Sequence, residues 1–267
     1  MTADDAQMAA DIVLTAPGLA PIHTAIVESR RIFRRLRAYV VYRVALTVQL
    51  VSFLCIVSAV YDQSIEPFYV IVLALAHDLT IVCIAYDNQS ASSAPERLEI
   101  APLLIVSYAL GLGLALSSAL FYCLAAAMLP SASILGNSAD SHIRQGYLQS
   151  LLFLQLSNSS ALLIFVARTD GPALSFANRA APPLALSALL SQLVIGFTLS
   201  RGVPTLEICR LELPDVLFVW LYDASCLLLL DLLKLALLRA PQLRSYLRPP
   251  AAPPSLPPSP IKQARAA

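Results

Sequence analysis

The sequence predicts an all-α polytopic membrane protein with six transmembrane helices, a cytoplasmic stalk extending the first of them, and a disordered C-terminal tail. Two observations carry this. The composition is 58% hydrophobic and only 13% charged over 267 residues, with mean hydropathy +0.71, whereas soluble domains carry about 25% charged residues. The apolar residues also gather into separate runs, each long enough to cross a hydrocarbon layer as a helix. The formal net charge of +1 gives no field for nucleic acid, and no run combines basic and aromatic residues as a single-strand binder would. Among Cys55, Cys83, Cys123, Cys209 and Cys226 no two form a CxxC pair, so they read as small apolar packing residues rather than a disulfide framework or a zinc site.

Residues 1–21 open without the basic-then-apolar order of a signal peptide, so insertion is expected to rely on later helices. Ile12-Val13-Leu14, β-branched and closed by Pro17-Gly18, suits one strand and a turn. A single strand needs a sheet from elsewhere, which hints at a missing domain. Residues 22–38 read as an amphipathic stalk helix. Ile22, Ile26, Ile32, Phe33 and Leu36 form its apolar side, and Arg30, Arg31, Arg34, Arg35 and Arg37 form a dense positive cluster,. The helix continues without a breaker into the first span, 39–60, giving about 58 Å of helix. The arginines either fix topology or face a cytoplasmic domain; both readings are compatible.

Spans are expected at 39–60, 67–86, 103–129, 147–167, 183–199 and 216–238, within a transport domain of residues 39–240. The second, PFYVIVLALAHDLTIVCIAY, carries Asp78 near its middle. A carboxylate at that depth costs roughly 2.5–3.5 kcal/mol on insertion scales, so Asp78 is either an ion or proton site, with His77 beside it, or a packing residue tied to a polar neighbour. The third span is long and carries Gly111 and Gly113, so it should either tilt or lie closely against its neighbours. The fourth span is unusually polar, with Gln149, Gln155, Ser157, Asn158, Ser159 and Ser160, which suits hydrogen bonds between helices or the lining of an ion path. The sixth holds Asp223, Asp231 and Lys234; the last two are three apart near a helix end and can pair as an anchor.

Lys and Arg concentrate in the connections on the side of the two termini, while Arg144, Arg201 and Arg210 fall on the other. That asymmetry predicts both termini in the cytoplasm. Residues 241–267 form a tail, proline-rich from Pro249, that cannot build a core; its Ser259-Pro260 is a weak phosphorylation signal.

Four stretches, in order, resemble one family. ADIVLTAPGLAPIHTAIVESRRIFRRLRAYVVYRVAL is similar to the join between the phosphorylation domain and fifth membrane helix of plasma-membrane proton-exporting P-type ATPases. LAHDLTIVCIAYDN resembles their sixth helix, LLFLQLSNSSALLIFVARTDGP their eighth with the loop after it, and VWLYDASCLLLLDLLKLALL their tenth. The similarity runs from about residue 3 to 240, and the wording YVVYRVAL and IAYDN is closest to the fungal branch. The resemblance implies that residues 1–21 are a remnant of the phosphorylation domain. It also implies that the chain is the C-terminal membrane half of such a pump, in the plasma membrane, with Asp78 as its proton-binding aspartate. Gln49 stands where relatives carry a basic residue, and Ser160 where fungal relatives carry a carboxylate. Arg43 either supplies the cation that Gln49 cannot or snorkels to the interface. His77 replaces a small or amide residue, and Asn158 and Ser160 are further polar candidates to support Asp78.

The Asp-Lys-Thr-Gly-Thr phosphorylation motif, the Thr-Gly-Glu loop and the GDGxNDxP hinge are not in these residues. No Gly-rich phosphate loop, Ser/His/Asp set or metal-ligand cluster suggests another enzyme. The chain by itself is therefore expected not to hydrolyse ATP, to bind no cofactor or metal, and to depend on other parts of the pump for ATP and Mg. Its expected partners are the bilayer, the transported proton, and the cytoplasmic and N-terminal membrane parts of the pump. The alternative is a non-enzymatic membrane protein that associates with a full-length pump and modulates it. A stand-alone transporter is disfavoured because 39–129 and 147–238 show no internal repeat.

Overall fold

A computed structural model describes residues 20–61, 67–91, 100–128, 138–169, 171–173, 179–201 and 210–239, together with Met8, Ala10 and Val13. Of the expected strand at residues 12–14 only Val13 is described, and it is not in a strand; residues 12 and 14 and the proline-rich tail lie outside the described residues. Among the described residues there is no strand, and six helices are long and apolar enough to cross a membrane. They are α1 (Ala20–Tyr61), α2 (Pro67–Val82), α3 (Ile100–Met128), α4 (Ser138–Ala167), α5 (Pro182–Arg201) and α6 (Leu213–Arg239). The chain is an all-α polytopic membrane protein.

The stalk and the first span form one helix of 42 residues, about 63 Å long. Nothing in its sequence removes a backbone donor after Pro21, so the hydrogen-bond ladder runs on from the arginine-rich segment into the apolar one. The stalk's apolar side stands largely uncovered by the described residues, with Ile26 and Ile32 exposed. The second span does not stay α-helical to its end: Cys83–Tyr86 tighten into a 3₁₀ turn that carries the chain into the loop bearing Asp87, Gln89 and Ser90.

α1 lies along α3, and α4 packs against all five other helices. In α4, 83% of the apolar window is buried, against 44% or less in the others; it is the central post of the bundle. Gly111 permits the α1–α3 contact, since a Cβ there would stand 2.6 Å from Ala45 O and 2.7 Å from Val48 Cβ. Close approach of helix backbones through small residues is the usual way to gain packing where lipid offers no hydrophobic drive between helices.

Two apolar slabs fill the interior. One holds Phe53, Leu73, Phe121, Leu152, Ile195 and Val219. The other holds Tyr42, Ile81, Leu110, Ile164, Leu184 and Leu230. In α1, α4, α5 and α6 the residues between these slabs include Gln49, Ser157–Ser160, Gln192 and Asp223, all buried. A polar layer therefore crosses the bundle between two apolar ones.

At the end of the bundle nearest the stalk, Asp87 and Arg168 form a buried ion pair. The Asp87 carboxylate accepts from Arg168 Nε at 2.8 Å and Nη2 at 3.0 Å, from Gln89 Nε2 at 2.7 Å, and from Ala181 N at 3.1 Å. Arg35 Nε donates to Asp87 O at 2.9 Å, and Arg34 Nη1 to Ser90 O at 3.0 Å. Two arginines of the stalk cluster thus clasp the loop after α2, while Arg31 and Arg35 approach Glu28 at 3.2 and 3.6 Å. Lys234 and Asp231 pair at 2.8 Å. Lys234 also donates to Gly171 O at 2.8 Å and Val166 O at 3.1 Å, and Asp231 accepts from Ala173 N at 2.9 Å. The expected anchor is therefore a staple between α6 and the end of α4.

Candidate functional site

Asp78 lies on α2 between the slab residues Leu73 and Ile81, at middle depth. Its carboxylate accepts from Arg43 Nη1 of α1 at 2.5 Å. Arg43 turns across to α2, where a carboxylate in an apolar setting is the strongest partner within its reach,. Both side chains are about half exposed, 47% for Arg43 and 53% for Asp78. Asp78 is thus tied to a polar neighbour on another helix, while the described residues leave half of it uncovered. The pair stands on an outward face beside exposed Ile71, Leu75 and Val82, because no described helix covers that side. His77 is more enclosed, and its Nε2 is buried with no hydrogen-bond partner among the described residues.

The other polar candidates do not reach Asp78. Gln49 Nε2 donates to Ser159 Oγ of α4 at 3.0 Å, joining α1 to the central helix. Ser160 donates back to Leu156 O on its own helix. Asn158 points to the far side of α4, where its Nδ2 meets Asp223 Oδ2 at 2.8 Å; Gln155 Nε2 meets Asp223 Oδ1 at 3.1 Å. Gln192 Nε2 of α5 donates to Ser157 O and Oγ, each at 3.1 Å. The polar residues of α4 thus bond to three neighbouring helices, which answers the sequence question in favour of inter-helix hydrogen bonding. A helix with no solvent-facing side must place every polar group against a partner.

Two carboxylates consequently occupy the polar layer. Asp78 has a cation and an open flank. Asp223, 2% exposed, has two amides and makes no ion pair among the described residues. The sequence placed Asp223 in the sixth span without giving it a role. The available signal was Gln155 and Asn158, three apart on one face of α4, opposite a helix bearing an intramembrane aspartate. No cluster of metal ligands occurs among the described residues.

No protein-family model matches the chain. A plasma membrane ATPase of Saccharomyces cerevisiae is 37% identical over 169 residues, 63% of this chain and 17% of that protein. A plasma membrane ATPase of Neurospora crassa is 36% identical over 171 residues, 64% of this chain and 18% of that protein. A putative cation-transporting ATPase of Methanocaldococcus jannaschii is 33% identical over 242 residues, 88% of this chain and 28% of that protein. This chain is homologous to the P-type ATPases. It spans between 17% and 28% of the length of these three relatives. The P-type resemblance drawn from the sequence motifs therefore stands, and in this P-type homologue Asp78 and Arg43 face each other from its first two spans.

Proposed function

We propose that this homologue is the membrane transport part of a proton-exporting P-type ATPase of the plasma membrane, with Asp78 as its proton-binding carboxylate and Arg43 as its countercharge. The observation that supports this is the Arg43–Asp78 pair at 2.5 Å, at middle depth, on a face left open by these six helices. A guanidinium in contact favours the ionised carboxylate, and its withdrawal into an apolar setting favours the protonated acid. Relative motion of α1 and α2 therefore exchanges a proton-releasing arrangement for a proton-accepting one. α1 is suited to drive that motion, since one rigid helix joins Arg43 to the stalk arginines.

A half-exposed ion pair facing hydrocarbon is costly. The uncovered face is accordingly assigned to the remaining membrane helices of the pump, and the exposed side of the stalk to its cytoplasmic parts, where ATP and Mg act. Both termini of this part then lie in the cytoplasm. The test is proton uptake into vesicles by a complete pump carrying this membrane part with Asp78→Asn. Loss of ATP-driven uptake with normal membrane insertion is expected; unchanged uptake overturns the assignment.

A further inference from the structure

We infer that Asp223 is a second proton-binding site, held between α4 and α6 and separate from Asp78. Asp223 lies ten residues into α6, about 15 Å along it, deep between the two apolar slabs. Three features carry the inference. The carboxylate is 2% exposed, so water does not stabilise its charge. Its two hydrogen bonds come from neutral amides, Gln155 Nε2 and Asn158 Nδ2, and no cation pairs with it among the described residues. Gln155 is fully buried, and its Oε1 has no hydrogen-bond partner among the described residues.

The third feature makes both protonation states possible. When Asp223 is ionised, the two amides donate one hydrogen bond each to its oxygens. Binding adds one proton to Oδ1, and the new O–H requires an acceptor. A half-turn of the Gln155 carboxamide, whose oxygen has no bond to break, places Oε1 there; N and O exchange places in nearly the same volume. Asn158 keeps its bond to Oδ2. Asp223 thus holds two hydrogen bonds with or without the proton, and no other reactant is needed.

The neighbouring titratable groups do not compete for this role. On α6, Tyr222 donates to Ser117 O of α3 at 2.7 Å, and Cys226 lies one turn beyond Asp223. Among the described residues, the groups that α4 bonds to Asp223 are the two amides. Asp215 is engaged with Tyr147 of α4, about 12 Å away along the helix, and Lys234 with Asp231 about 16 Å the other way,. The inference does not rest on the pump assignment, because it concerns only proton occupancy at Asp223.

A hydrophobic carbodiimide tests it, since such reagents modify carboxyl groups that are protonated in an apolar setting. The chain in native membranes is treated across a pH series, and adducts are mapped by peptide mass spectrometry, which separates Asp223 from Asp78. An adduct at Asp223 whose yield falls about tenfold per pH unit above its midpoint, as for one titrating group, supports the site. Infrared spectra should show a protonated-carboxyl band that is lost in Asp223→Asn. No adduct at Asp223 at any pH, together with no carboxyl band assignable to it, overturns the inference. Wild-type mapping decides the matter even if the substitution prevents folding. Loss of transport in Asp78→Asn with unchanged labelling at Asp223 keeps the two assignments distinct.

Discussion

Removing the Arg168 side chain should destabilise the bundle more than losing any exposed arginine, and Arg168→Met is the cleanest form of that change. Asp87 is fully buried and Arg168 is 2% exposed at its side chain. Among the described residues, the substitution leaves the carboxylate with Gln89 Nε2 and Ala181 N as donors. Breaking a buried pair by deleting one partner costs about 3–5 kcal/mol, most of it the penalty of an uncompensated charge. That is roughly a hundredfold to several-thousandfold in the unfolding equilibrium at 1.4 kcal/mol per tenfold. Arg31→Met, at an exposed pair with Glu28, should cost no more than about 1 kcal/mol. The double change Asp87→Asn with Arg168→Met removes the stranded charge while keeping an acceptor for Ala181 N. It should therefore be more stable than Arg168→Met alone by at least about 1 kcal/mol. The assay is reversible unfolding in mixed micelles as the denaturing-detergent fraction rises, followed by circular dichroism and by the fluorescence of Trp220, the single tryptophan. A loss below about 1 kcal/mol in Arg168→Met, or a double variant no better than the single, would refute the reasoning.

Gly111→Leu should push α1 from α3 by setting side-chain atoms against Ala45 O and Val48; about 1–3 kcal/mol is expected from overpacking, read in the same unfolding assay. Lys234→Met removes the buried donor to Val166 O, Gly171 O and Asp231 and should free the end of α4, seen as faster amide exchange at residues 167–169 and 171–173. Arg43→Gln in a complete pump should impair ATP-driven proton uptake while leaving unfolding close to wild type, because the Arg43–Asp78 pair is half exposed,; a large stability loss with normal uptake would argue for a structural role alone.

The six helices were legible in the sequence because a hydrocarbon solvent admits few backbone solutions. An apolar run of about 20 residues must satisfy its own hydrogen bonds, and a helix does so within the run. The close contact at Gly111, the staple of Lys234 with Asp231, and the inter-helix bonding of α4 followed from the same local rules. Which polar groups meet did not follow, because pairing across helices depends on helix rotation and depth, which a linear pattern leaves open. Asn158 and Gln155 could have faced Asp78 and instead face Asp223. Gln49 serves Ser159, and Arg43, free by its length to snorkel, crosses to Asp78. The 3₁₀ turn at Cys83–Tyr86 and the Asp87–Arg168 pair depend on loops brought together only by the packed bundle. The sequence by itself determined that this chain spans a membrane and that an aspartate lies within it. The tertiary structure decided which partner each buried charge has, because in a low-dielectric interior a contact of a few ångströms outweighs any preference written along the chain.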